Sequence, residues 1–329
     1  MRFVLHAAVL DGDDGVLTLL DRLVDRLADE VHRVEVHELD RLDRSAWFQQ
    51  ARRTRKKVLM SATARPRRKA SRFGPHAKTI DVADNADAQR ADKLAHTPLV
   101  ILVEDRESDG TFLDLVVEEL GWPELKSLWG KGRTVTPRAH QLETAGGKPA
   151  IPQRVERAVG DAAQEGRPCR LFVLCDSDAR WPGDMMKETD LVIQACVRHQ
   201  VPHHVLRKRS IENYIPDQVI GSMRADPQLS DHVGRLDALL RRTRLQRDHF
   251  PLKDGLAAKE RTQAMDAGLY EPSEEEDLKL LETRIFPKQP RPLLRLSRER
   301  RPELTAEGLQ ERDGEGELKS LLRSIAQEL

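Results

Sequence analysis

An α/β protein with parallel sheets flanked by helices is the fold class this 329-residue sequence predicts, and three observations carry it. First, Leu99-Val100-Ile101-Leu102-Val103 and Leu171-Phe172-Val173-Leu174-Cys175 are continuous apolar runs, the pattern of strands buried on both faces of a parallel sheet. Second, strand-like and helix-like segments alternate from Pro98 onward, which implies right-handed crossovers. Third, each apolar run stops at carboxylates: Glu104 after the first, Asp176 and Asp178 after the second. Open α/β sheets collect their ligands at the C-terminal ends of strands.

The elements follow in order. Residues 2–10 read as a first strand. Val16, Leu17, Leu19, Leu20, Leu23, Val24, Leu27 and Val31 recur at helical spacing, and Val34 and Val36 mark a second short strand. Together they predict a small α/β lobe over 1–50. Residues 51–97 read as an exposed, partly disordered connector, rich in charge and turn residues such as Pro66 and Gly74-Pro75. A core over 98–216 comes next. After the strand at 99–104, a helix is expected from Asp109, burying Phe112, Leu113, Leu115, Val116 and Leu120 and ending at Gly121 and Pro123. A weak strand is placed at Thr134–Thr136, then a helix at 152–164, a strand at 170–175, a helix at 185–198 and a strand at 201–206. Residues 217–329 read as a mainly helical extension. In it, Glu274-Glu275-Glu276-Asp277 opens a surface helix, 287–302 is a Pro-rich linker, and Leu318, Leu321, Leu322 and Ile325 form the stripe of a closing amphipathic helix. No internal repeat is visible.

Composition narrows the class. A third of the residues are charged and 4% are aromatic, so a highly charged surface surrounds an aliphatic core. No apolar stretch approaches the roughly 20 residues of a membrane helix. The start, Met1-Arg2-Phe3-Val4-Leu5-His6, lacks the features of a signal peptide, so a cytoplasmic protein is expected. Cys169, Cys175 and Cys196 lack zinc-type spacing and are expected as buried free thiols of a reducing compartment. Net charge is zero, yet no acidic residue occurs from Arg44 to Lys78, and Arg52 to Arg72 holds ten Lys or Arg. That segment, with Arg67, Arg68 and Lys69 at its centre, is the expected nucleic-acid arm.

The acids carry the chemistry. Carboxylates meeting at one sheet edge repel unless a cation joins them. Oxygen donors without a Cys or His cluster favour Mg²⁺ or Mn²⁺. The expected metal ligands are Glu104, Asp109, Asp176 and Asp178. Strand periodicity puts Asp176 and Asp178 on one face. Two further polar segments stand out: Arg207-Lys208-Arg209-Ser210-Ile211-Glu212-Asn213-Tyr214-Ile215-Pro216 after the last strand, and a turn, His249 to Gly255, carrying Lys253.

In this order, a strand ending in Val-Glu, an Asp near a helix start and a later strand ending in Asp-x-Asp resemble the Toprim domain. That domain is shared by bacterial primases, type IA and II topoisomerases and the overcoming-lysogenization-defect (OLD) nucleases. The Lys-Arg-Ser-Ile-Glu-Asn-Tyr-Ile-Pro loop is similar to the one following Asp-x-Asp in OLD-type nucleases and stand-alone Toprim effectors of phage defence. The resemblance covers roughly residues 98–256 and implies a Toprim-like sheet and a Mg²⁺-dependent endonuclease. In that reading Glu104, Asp176, Asp178, Glu212 and Lys253 are catalytic. Glu104 serves as metal ligand or general acid/base, Glu212 completes the metal shell or orients the water, and Lys253 stabilises phosphate charge. Arg207, Lys208 and Arg209 grip the nucleic-acid backbone.

The sequence departs from the family's Glu-Gly-x-x-Asp. Asp105 replaces the glycine and Asp109 falls one residue late, so either the loop is longer or Glu107 takes Asp109's part. No Gly-x-x-x-x-Gly-Lys-Ser/Thr occurs, so an ATPase or sensor would be a separate subunit; control by such a partner or by homo-oligomerisation is expected by analogy. A second reading is a degenerate Toprim module that binds nucleic acid or assembles a defence complex without catalysis. The position of Asp-x-Asp on a late strand argues against a haloacid-dehalogenase-type phosphatase, and no zinc module points to a primase.

Overall fold

The edges of two all-parallel sheets organise the structure, a computed structural model that describes residues 1–63, 78–286 and 304–329. The first sheet contains β1 (Arg2–Leu5), β2 (Arg33–Val36) and β3 (Thr79–Val82), in the order β2-β1-β3. The second contains β4 (Leu99–Val103), β5 (His140–Thr144), β6 (Leu171–Cys175) and β7 (His203–Val205), in the order β5-β4-β6-β7.

The N-terminal lobe reaches further along the chain than expected. The first strand ends at Leu5, and residues Ala7–Leu10 turn into a short helix. Helix Asp14–Ala28 then crosses over to β2, its start capped by the Asp13 carboxylate, which accepts the Val16 N–H at 2.9 Å. The expected connector is largely built into this lobe. Helix Arg53–Thr63 buries Leu59 against it, β3 pairs with β1, and helix Asn85–His96 buries Ala88, Ala91 and Ala95. Alanine faces and a single leucine carry little hydropathic signal, yet they let helices pack closely. Arg67, Arg68 and Lys69 lie outside the described residues, as does the Pro-rich segment 287–302.

In the second sheet the central strands are the apolar runs. Every residue of β6 is buried, and four of the five in β4. The edge strands β5 (His-Gln-Leu-Glu-Thr) and β7 (His-His-Val) are half-exposed and polar, so no apolar run marks them, and β5 lies at 140–144 and not at the expected 134–136. Helix Arg106–Leu120 starts three residues earlier than expected, because Asp105 is the N-cap: its carboxylate accepts the N–H groups of Glu107 and Ser108. A further helix, Pro123–Gly132, follows where the sequence reading ended one. Helices Ile151–Gln164 and Lys187–Arg198 fall within two residues of their expected bounds.

The helical extension shares the core of the second sheet. Phe250, Leu252, Leu318, Leu321, Leu322 and Ile325 pack in one cluster with Leu99, Ile101, Phe112, Phe172 and Tyr214. The expected amphipathic stripe is the buried face of helix Glu317–Glu328. All three cysteines are free, but only Cys175 and Cys196 are buried; Cys169 is exposed, a correction to the expected burial, since it precedes β6 rather than lying within it. Among the described residues no helix is long and apolar enough to cross a membrane.

Strand order places the site. From β4 the chain moves outward to β5, then returns across the sheet to β6 and moves outward again to β7. The crevice between the ends of β4 and β6 is therefore the topological switch point, where open α/β sheets hold ligands. Val100 pairs with Leu171, Ile101 with Phe172 and Leu102 with Val173. Continuing that register sets Glu104 level with Cys175, one residue before Asp176.

Candidate metal centre

Glu104 and Asp176 meet directly. The Glu104 Oε1 accepts the Asp176 backbone N–H at 3.2 Å, although the two residues are 72 apart in the chain. Asp176 is buried; its Oδ1 accepts the Ile211 N–H at 3.0 Å and its Oδ2 lies 3.6 Å from Lys253 Nζ. Glu212, also buried, places Oε2 3.3 Å from the same ammonium. The Lys253 ammonium is the partner of that buried oxygen.

The loop carrying Glu212 is fixed from both sides. Asn213 Oδ1 accepts the Ser210 N–H at 2.9 Å, closing a capping box over the turn Ile211–Tyr214. Its Nδ2 donates to Arg247 O at 2.7 Å and Phe250 O at 2.9 Å, which ties this loop to the segment bearing Lys253. Gly255 completes that segment with φ of +81°, and a Cβ there would sit 2.6 Å from the Thr283 carbonyl carbon. Gly255→Ala is therefore expected to cost about 1–3 kcal/mol through backbone strain and contact. A lowered urea midpoint is the check; an unchanged midpoint contradicts it.

Asp109, not Glu107, joins the cluster. Asp109 is buried and its Oδ2 accepts the Asp105 N–H at 3.0 Å, while Glu107 is exposed in the first turn of the helix. Asp105, the N-cap of this helix, closes the turn between Glu104 and Asp109. Asp178 is arranged differently from the expectation. β6 ends at Cys175, so Asp176 and Asp178 lie in a turn beyond it, with Asp178 at φ +54°, and they do not share a strand face. The Asp178 N–H donates to Arg209 O at 2.9 Å, and its carboxylate pairs with Lys148.

Lys148 escaped the sequence reading. Its side chain is 4% exposed, and Nζ donates to Asp176 O at 2.7 Å and to Thr189 Oγ1 at 3.3 Å besides pairing with Asp178 and Glu104. The available signal was Gly146-Gly147-Lys148, where both glycines take positive φ, of 82° and 106°. It goes unread when β5 is misplaced, because the loop then follows no strand. That loop also abuts Glu104: Gly147 N–H and Thr144 Oγ1 donate to Glu104 O at 3.3 and 2.8 Å.

The basic run after β7 is mostly turned inward, which corrects the expected basic grip. Lys208 is buried, pairs with Asp248 and lies 5.3 Å from the Tyr214 ring centre. Arg209 pairs with Glu260, and Arg207 alone of the three is exposed, paired with Glu315. A cavity of ≈ 600 Å³ elsewhere, lined by Leu27, His32, Val58 and Leu128, contains none of these acids.

Five carboxyl groups thus surround two ammonium groups, and the electrostatics record the imbalance. Burial raises Asp176 well above the ordinary carboxyl range, with Lys253 opposing and Glu212 and Glu104 adding to the rise. Burial likewise raises Glu104, against the pull of Lys148, and pushes Asp109 up to about 7. Burial works against the charge of Lys148, but Glu104 and Asp178 outweigh it and raise its pKa; Glu212 and Asp176 do the same for Lys253. Among the described residues no three acid, His or Cys side chains already converge as a metal-ligand group. Donor chemistry and surplus negative charge nevertheless fit a hard divalent cation, and the buried Glu212 oxygen is held by the half-exposed Lys253 ammonium, which such an ion could replace. Side-chain shifts away from the lysines would have to complete its shell.

Asp109 gives a test of this charge imbalance. Between its ordinary value of 3.8 and about 7, the folded chain holds a proton that the unfolded chain has released. Stability is therefore lost as pH rises through that window. Metal-free protein should show a higher urea midpoint near pH 5.5 than near pH 8, and Asp109→Asn should gain roughly 2–4 kcal/mol at about pH 8. A variant less stable than the wild type at that pH would contradict the assignment.

Compared with protein-family models, with curated proteins and with solved structures, the chain matches none.

Proposed function

We propose that this chain is a Toprim-type, Mg²⁺- or Mn²⁺-dependent nuclease that hydrolyses nucleic-acid phosphodiester bonds. The observation that carries the reading is the junction of Glu104 with Asp176 at the switch point of a parallel sheet, with Asp109, Glu212, Asp178 and Lys253 beside it. A bound divalent cation would supply charge neutralisation at the scissile phosphate and acidify the attacking water. Glu104, Asp109, Asp176 and Asp178 are the residues to hold it, with Glu212 completing the set.

The protein's own groups divide the remaining work. Glu104 either ligates the cation as a carboxylate or, left off the metal with its pKa raised by burial, serves instead as the general acid that protonates the leaving oxygen. Glu212 orients the water. Lys253, half-exposed and permanently charged, can leave its carboxylates to meet the phosphate as charge develops there. The deciding experiment incubates purified chain with plasmid DNA and with RNA, with and without Mg²⁺ or Mn²⁺, and repeats it with Asp176→Asn. Cleavage that needs the metal and vanishes in the variant supports the reading.

The expected setting is anti-phage defence, with activity controlled by a separate ATPase or sensor subunit or by self-assembly. A second reading, a non-catalytic Toprim module, is favoured by one observation: the lysines already engage Asp176, Asp178, Glu104 and Glu212. Absence of metal-dependent cleavage on every nucleic acid tried would select it.

A further inference from the structure

The two lysines of the acid cluster are not equivalent cations. Lys148 is enclosed at 4% exposure, whereas Lys253 has half its side chain in solvent, at 51%. Lys148 Nζ has four oxygens around it: Asp176 O, Thr189 Oγ1, Asp178 Oδ2 and Glu104 Oε1. Two of these are neutral and fixed to the fold, since Asp176 O belongs to the turn after β6 and Thr189 Oγ1 itself donates to Ser177 O at 2.9 Å. An ammonium displaced from such a nest would be stranded in the interior without a partner, a strongly unfavourable state. Lys253 faces two carboxylates at 3.3 and 3.6 Å and has water to move into.

The charge is distributed accordingly. On the Lys148 side, one ammonium answers Glu104 and Asp178 at close range. On the other side, Lys253 answers Asp176 and Glu212, with Asp109 near, and the buried Glu212 Oε2 is met by this half-exposed ammonium at 3.3 Å. Two carboxylates meet one ammonium on the Lys148 side and three meet one on the Lys253 side, so the larger unmet demand for positive charge lies beside Lys253, the cation that can move away.

We infer that Lys148 is a permanent internal counter-ion standing where a second metal ion would stand, so that the pocket takes a single divalent cation, between Asp176 and Glu212. This rests on the metal-dependent reading above and narrows its ligand set: Asp178 and Glu104 answer the Lys148 ammonium, and Asp176, Glu212 and Asp109 are left for the ion. It makes Lys148 a positioning residue: it sets the turn of Asp178 and caps the metal count at one. Lys253 is the cation that yields.

The test counts Mn²⁺ bound by the full chain, from the EPR signal of free Mn²⁺ during titration, with no substrate present. Wild type should bind one Mn²⁺ per chain. Lys148→Gln, which retains hydrogen-bonding groups without the charge, should bind two. Lys253→Ala should still bind one, about tenfold more tightly, because a competing charge is gone. Two Mn²⁺ in wild type, or one in Lys148→Gln, overturns the inference and leaves the metal-dependent reading standing. No Mn²⁺ in wild type removes that reading, and the inference with it. Should Lys148→Gln not fold, Lys253→Ala decides: tighter binding of one ion supports the inference, and unchanged affinity or a second ion overturns it.

Discussion

On the proposed nuclease reading, Asp176→Asn is expected to abolish metal-dependent cleavage, lowering the rate by about 10³-fold or more, while the metal-free protein becomes more stable. Both halves come from the same burial. The Asp176 carboxylate is enclosed, accepts the Ile211 N–H through Oδ1, and is surrounded by Glu104, Asp109 and Glu212, so its ionised form is costly without a cation. Asparagine keeps the Oδ1 acceptor and discards the charge. Losing one ligand charge at the reacting phosphate removes about 4 kcal/mol of transition-state stabilisation, which is the 10³-fold quoted. The melting temperature without metal should rise together with the loss of activity, a trade of stability for function at a charged site. Undiminished cleavage in Asp176→Asn would sink the assignment, and a sharply lower melting temperature would show that the charge is structural.

The second large effect concerns stability and lies away from the acids. Glu317→Ala should cost about 3–5 kcal/mol, read as a fall in urea midpoint. The Glu317 carboxylate is buried at the first residue of helix Glu317–Glu328, where it accepts the His204 Nε2 at 2.9 Å, the Arg207 N–H at 2.8 Å and the Tyr214 hydroxyl. Truncation leaves three buried or half-buried donors without an acceptor. Burial works against this carboxylate's charge, but His204, Tyr214 and Arg207 together hold its pKa below the ordinary value. The stability it contributes is therefore present above the ordinary glutamate value and is lost as pH falls through the lowered one. Glu317→Gln, which retains an acceptor, should recover part of the loss at neutral pH. Because Arg207 and Tyr214 bracket Ile211 and Glu212, the C-terminal helix holds the loop that contacts Asp176. A cost under about 1 kcal/mol for Glu317→Ala would mean the network is solvated rather than buried.

Where the sequence was legible, burial on two faces made it so. The runs at 99–103 and 171–175 have no polar alternation because helices cover both sides of the sheet, and their carboxylate ends announce the crevice. Edge elements gave no such mark. β5 and β3 are short and half-exposed, the helix before β3 buries a single leucine and the helix after it buries alanines, so sequence pattern alone ends the lobe at residue 50 and gives its third strand to a connector. Strand periodicity does not orient Asp176 and Asp178; the turn after β6 does.

The basic loop shows the same limit. Arg207, Lys208 and Arg209 are adjacent in sequence, but Asp248 and Glu260 claim two of them from segments about 40 and 50 residues away. Lys148 is the converse, a residue marked locally by nothing more than the Gly146-Gly147 pair before it, which becomes central because β5 delivers it beside Glu104.

By itself the sequence determined the α/β class, the two central strands, and the identity of the acids at their ends, because period and burial are local and written into each run. Tertiary structure decided which acids meet and which cations they meet. It selected Asp109 over Glu107, turned Lys208 and Arg209 inward and brought Lys148 into the pocket. Charge pairing acts through space across strand order and register, and neither can be read from any one segment.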